Sequence, residues 1–139
     1  MDRFQTIIQE LSQELATPLK ATGDSTCAIT FKNSLFTQIE LSENQEKLVI
    51  ICVIEKLPPG KYREQVLTAA LQENALSSPL IGSLSFSRRS DELLLYASTP
   101  MAELNGKKLF EILLVLVDKA HRWQEAIQQN LPLPVDLGT

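Results

Sequence analysis

"KYREQVLTAALQEN", residues 61–74, decides how the rest of this chain is arranged. At the helical step of about 100° per residue, Tyr62, Val66, Leu67, Ala69, Ala70 and Leu71 cover an arc of about 200°, roughly twice the stripe a surface helix gives to its core. One side of such a helix can rest on the chain's own core, and the other needs a second cover. Leu57-Pro58-Pro59-Gly60 launches it and Ser77-Ser78-Pro79 breaks it.

Upstream of the helix, LVIICVI (Leu48 to Ile54) is apolar at every position. Such a strand has no wet face and is expected inside a sheet covered on both sides. Before it the period is two: Cys27, Ile29 and Phe31, then, past Lys32-Asn33-Ser34, Leu35, Thr37, Ile39 and Leu41, which reads as a hairpin. Asp2 can cap a first helix carrying Phe4, Ile7, Ile8, Leu11 and Leu15 on one narrow stripe, stopped by Pro18 and followed by a loop at Thr22 to Ser25.

Downstream, Leu80 to Phe86 and Glu92 to Ser98 form a second expected hairpin. Thr99-Pro100 leads to a last helix through Leu104, Leu109, Ile112, Leu113, Leu116, Val117, Ala120, Trp123 and Ile127, whose first half, almost free of polar residues, is expected to be deeply buried. The order α-β-β-β-α-β-β-α predicts an α+β fold: a twisted antiparallel five-stranded sheet with three helices, residues 1–130 forming one domain and 131–139 a Pro-rich tail, extended or frayed. Three helices and five strands leave no third layer for the middle helix. The expected cover is a second copy related by a two-fold axis, which Ala69 and Ala70 let come close.

Composition narrows the function. With 139 residues, 44% of them hydrophobic, the chain supports one domain with a core, and its longest apolar run falls far short of the ~18 residues that span a bilayer. The amino terminus lacks the basic-then-apolar pattern of a secretion signal, so a cytosolic location is expected. A net charge of -4, with Arg88-Arg89 and Lys107-Lys108 as isolated pairs, argues against nucleic acid. Cys27 and Cys52 read as buried thiols, and with one histidine they build no zinc site of known spacing. His121 with Asp118 and Glu125 reads as a solvated helix face. No nucleophile elbow and no phosphate loop is present, so no catalytic residue, cofactor or metal is expected. The strand Thr26 to Phe31 is a candidate free edge where an extended peptide can add a strand.

The stretch "VLTAALQENALSSPLIGSLSFSRRSDELLLYASTPMAELNGKKLFEILLVLVDKAHRW", with the element order, resembles the class I type III secretion chaperones, the Tir chaperone family. The points of likeness are the helix ending at Asn74, Gly82 before the next hairpin, Leu93-Leu94-Leu95 leading to Pro100, and the last helix ending Ala120 to Trp123. The resemblance implies a bacterial cytoplasmic homodimer, without enzyme activity, that binds the non-globular amino-terminal segment of a secreted effector and keeps it competent for export. It implies a dimer interface at Val66, Leu67, Ala70, Leu71, Leu84 and Phe86, and effector binding at Phe4, Ile7, Leu11, Ile29, Phe31 and Phe36. Two other readings stay open: a small dimeric hot-dog-like thioesterase using Glu64 and Glu73 of the middle helix, and a non-secretory adaptor domain of the same architecture.

Overall fold

The computed structural model describes residues 2–19, 21–23, 25–78 and 82–135. Helix α1 spans Arg3–Leu15; its Asp2 cap accepts from the Gln5 N–H at 2.8 Å, the Gln5 side chain reaches back to the Asp2 N–H, and Ala16 ends it in the left-handed region. Strands β1 (Ala21–Thr22), β2 (Thr26–Phe31), β3 (Leu35–Leu41) and β4 (Lys47–Lys56) come next, then helix α2 (Lys61–Leu76), strands β5 (Ser83–Ser87) and β6 (Glu92–Pro100), and helix α3 (Gly106–Gln128). The sheet is antiparallel throughout, in the order β1-β2-β3-β4-β6-β5.

The five expected strands are all present. A two-residue strand, β1, joins them at the edge where the sequence pattern read only a loop; two residues carry no detectable period. The proposed start of the second hairpin at Leu80 lies outside the described residues, and the strand is seen from Ser83. Just before it Gly82 holds φ +88, and a Cβ there would stand 2.9 Å from the side chains of Leu95 and Leu116, so both the backbone and the space exclude a larger residue.

The core lies between one face of the sheet and the pair α1 and α3. Cys27, Ile29, Leu35, Ile39, Leu48, Ile50, Cys52, Leu93 and Leu95 point into it from the strands, and Phe4, Ile7, Leu11, Leu109, Leu113 and Trp123 meet them from the helices. The helices touch closely at Gly106, whose N–H donates to Glu10 Oε1 at 3.1 Å.

Two burial expectations are corrected. In β4 burial alternates: Leu48, Ile50, Cys52 and Ile54 are buried, whereas Val49, Ile51 and Val53 are only partly covered, because no layer among the described residues lies fully over the second face. In α3 the apolar first half is not buried all round. Leu109, Leu113 and Leu116 are, but Leu114 and Val115 stand on the outer surface, 56% and 49% exposed. An apolar run records only that water is disfavoured, and a partner outside the protomer satisfies it as well as one inside.

Helix α2 lies against β5 and reaches α3 through an ion pair. Glu73 and Lys119 meet at 3.0 Å with side chains 4% and 3% exposed; Ser77 Oγ donates to Glu73 at 2.8 Å, and Lys119 Nζ donates to the Gly82 carbonyl at 3.4 Å. A charge pair so buried persists because each member neutralises the other and its remaining polar atoms are bonded.

Candidate functional site

The sheet has two different edges. At β5, the Asn74 side chain of α2 donates to the Leu84 carbonyl and accepts from the Leu84 N–H, both at 2.8 Å. One amide thus stands in for the residue of a neighbouring strand at Leu84, and the Arg63 guanidinium packs 5.0 Å from the centre of the Phe86 ring while pairing with Asp91 at 3.2 Å. That edge is closed.

At β2 the opposite holds. β1 pairs only with Thr26 and Cys27, so among the described residues Ala28 to Phe31 continue with no strand on the outer side. The Ser25 carbonyl accepts from the Leu41 N–H at 2.8 Å, which turns odd-numbered residues of β2 towards β3 and leaves the N–H and C=O of Ala28 and Thr30 directed outward. Both are small and exposed, so nothing bulky shields those groups. The strand is held from behind. Its turn to β3, with Asn33 and Ser34 at φ 63 and 56, is pinned by α3: His121 Nε2 lies 2.7 Å from the Lys32 carbonyl, Gln124 Nε2 donates to the Asn33 carbonyl at 3.2 Å, and Asn33 Nδ2 donates to Gln124 and Gln128 at 3.1 Å.

The six residues expected to bind a guest do not form one patch. Phe4, Ile7, Leu11 and Ile29 are buried between helix and sheet and offer no surface; Phe31 is half-buried at the end of the open edge, and Phe36 is 40% exposed on the other face of the sheet. The narrow stripe of α1 is consumed by the protomer's own packing, which spacing alone cannot reveal. Missed by the sequence pattern is a hollow of about 560 Å³ beside the start of α1, lined in part by Phe4, Ser25, Leu41 and Met101, where Arg3 donates to the Met101 and Leu104 carbonyls at 2.6 and 2.9 Å.

The residues expected between two copies divide similarly. Val66, Ala70 and Leu84 are buried within the protomer, Leu67 and Phe86 are half-buried, and Leu71 is 71% exposed. Tyr62 and Leu76 also face outward from α2. A second apolar surface lies on the uncovered sheet face, where the register sets Phe36, Val53 and Leu94 in one row and Ile51 beside Tyr96 in the next.

The groups weighed for chemistry are spent elsewhere. Glu64 is exposed while Glu73 is neutralised by Lys119, so the two do not act together, and Asp118 pairs with Arg122 at 3.2 Å rather than with His121. Burial pushes the Cys27 and Cys52 thiols up, with a Thr37 hydroxyl contact at 3.5 Å partly opposing this for Cys52. Among the described residues no cluster of His, Cys, Asp or Glu is arranged to hold a metal, and no helix is long and apolar enough to cross a membrane.

The sheet thus has one edge capped by a side-chain amide and one left open along Ala28 to Phe31, with α1 and α3 packed on one face. The Tir chaperone protein (CesT) family matches residues 6–124, and the chain belongs to that family. No curated protein sequence matches it. Among solved structures it is similar to a chain of the HopA1–SchA chaperone–effector complex, with 22% identity, a TM-score of 0.68, and 88% of this chain and 94% of that one covered. It is also similar to the Yersinia pestis type III secretion chaperone SycH, solved with a stable fragment of YscM2, at 19% identity and TM-score 0.64 over 85% and 97% of the two chains. The ExoT–SpcS complex of Pseudomonas aeruginosa gives 20%, 0.65, 87% and 97%. At these identities the likeness is one of fold.

Proposed function

We propose that this chain is a bacterial cytoplasmic chaperone of type III secretion, without enzyme activity, that as a homodimer binds the non-globular amino-terminal segment of an effector and keeps it export-competent. The observation that carries the reading is the unpaired edge Ala28 to Phe31, rigidly backed by α3 on a sheet whose other edge is sealed. An extended segment adds there through main-chain bonds, which need no particular sequence, and so stays unfolded while its backbone is paired. Family membership supports the class of activity. The outer side of α2 and the uncovered sheet face, both apolar, suit the two-fold partner.

Thr30→Pro tests this. Proline removes an outward N–H that no described strand uses and is tolerated on an edge strand. The wild-type chain is expected to retain the first hundred or so residues of its effector on co-purification, and Thr30→Pro to lose that retention by about ten-fold or more with an unchanged circular dichroism spectrum. Equal retention by both chains refutes the edge as the binding site. Light scattering should return twice the 15.5 kDa protomer mass, falling to one with Leu71→Asp/Tyr96→Asp.

A further inference from the structure

The family match stops at residue 124, so membership does not account for the segment beyond α3. Residues 131–135 turn back onto the body: the Leu131 N–H donates to the Ala126 carbonyl at 2.8 Å, and Leu133 and Val135 rest against the core. The hold is slight. Pro132 and Pro134 have no N–H to give, and the Val135 N–H bonds back to the Leu133 carbonyl at 2.9 Å rather than to the body. The fit is also incomplete. A hollow of about 310 Å³ remains between the end of α2 (Glu73, Ser77), the second half of α3 (Lys119, Arg122, Trp123) and the tail (Pro134, Val135). Trp123, 1% exposed, lines it, and its indole N–H is buried with no acceptor among the described residues. A buried unmet donor beside unfilled space marks a place that a different occupant fits better.

We propose that this hollow is a docking site for an extended apolar peptide, occupied by the chain's own tail until a partner segment displaces it. The occupant is apolar because the tail seats two aliphatic side chains two positions apart, and because both cations of the lining already have carboxylate partners, Lys119 in Glu73 and Arg122 in Asp118. Its backbone carbonyl supplies the acceptor that Trp123 lacks. In drawing that segment from the effector, the inference rests on the proposed function.

Trp123 is the only tryptophan and reports on its own site. In the full chain carrying Leu133→Asp/Val135→Asp, whose tail cannot seat, Trp123 emission should shift to the red while the circular dichroism spectrum stays that of the wild type. The acetylated nonapeptide LPLPVDLGT added in trans should restore the emission saturably, with an apparent affinity about ten-fold or more above that for the wild-type chain, where the tethered tail competes. The same peptide with Asp in place of Leu133 and Val135 should have no effect. Emission indifferent to the tail substitutions, or peptide affinity equal for both chains or absent from both, overturns the site. If that happens in a chain that still retains its effector segment, the proposed function stands; a saturable response in a chain that retains no effector leaves the docking site and removes the function.

Discussion

Gly106→Ala probes the tightest helix contact in the molecule. A Cβ at position 106 would lie 2.3 Å from Glu10 Cβ, 2.6 Å from the Glu10 carbonyl carbon and 2.7 Å from the Leu11 nitrogen, so two of the three obstacles are backbone that cannot rotate aside. Two effects oppose each other. Alanine stiffens the unfolded chain and favours the helix, worth about 0.4–1 kcal/mol in its favour. Overpacking that forces α1 and α3 apart costs about 1–3 kcal/mol, and backbone obstacles put this case at the upper end. The clash wins, for a net loss of about 2 kcal/mol, which for a domain of this size lowers Tm by roughly 6–10 °C. Urea unfolding at matched protein concentration is the assay, with a lower midpoint and an unchanged slope expected. Gly23→Ala is the control. Its φ of +66 carries backbone strain, but nothing lies within 4 Å of the new Cβ, so its cost is only about 1 kcal/mol. A Gly106→Ala chain as stable as the wild type would refute the close approach of α1 to α3.

Two further outcomes concern buried groups. Lys119→Met takes the neutralising ammonium from the buried Glu73 carboxylate and should cost about 3–5 kcal/mol by chemical denaturation, whereas Lys119→Met/Glu73→Leu should recover most of that loss; equal losses in the single and double variants would show that the pair is not what holds α2 to α3. The Cys27 and Cys52 thiols are raised by burial, so the folded state keeps their protons to higher pH than the unfolded state. Their contribution is therefore complete below the unfolded thiol value of about 8.5 and declines as pH rises above it. The stability difference between wild type and Cys27→Ala/Cys52→Ala should shrink above that pH, and iodoacetamide should label the native thiols far more slowly than the unfolded ones.

Much of this architecture is legible from residue spacing because most of the longer elements carry a period and a breaker beside it. Asp2 and Leu57 to Gly60 mark the starts of α1 and α2, and the period of two holds at Cys27, Ile29, Leu35, Thr37 and Ile39, whereas the last helix, expected to run through Leu104, begins only at Gly106 behind an Asn105 cap. What spacing does not carry is which side of an element already has a partner. The stripe Phe4, Ile7 and Leu11 reads alike whether it faces the core or a guest, and the structure assigns it to the core. The wide arc of α2 holds no sign that Val66 and Ala70 face inward and Leu71 outward. The Glu73–Lys119 pair and the Asn74–Leu84 amide bonds join residues with no periodic relation, so only the folded chain brings them into view. The open edge is visible as a candidate because β2 alternates and follows the first helix rather than another long strand.

The inequality of the two sheet edges bears on how this chain survives crowding. Endless stacking of sheets side by side requires every molecule to offer an adhesive flank on both its left and its right. With the β5 flank plugged by Asn74, docking at β2 consumes the only free flank among the described strands, so growth halts after one addition and cannot propagate into a fibre.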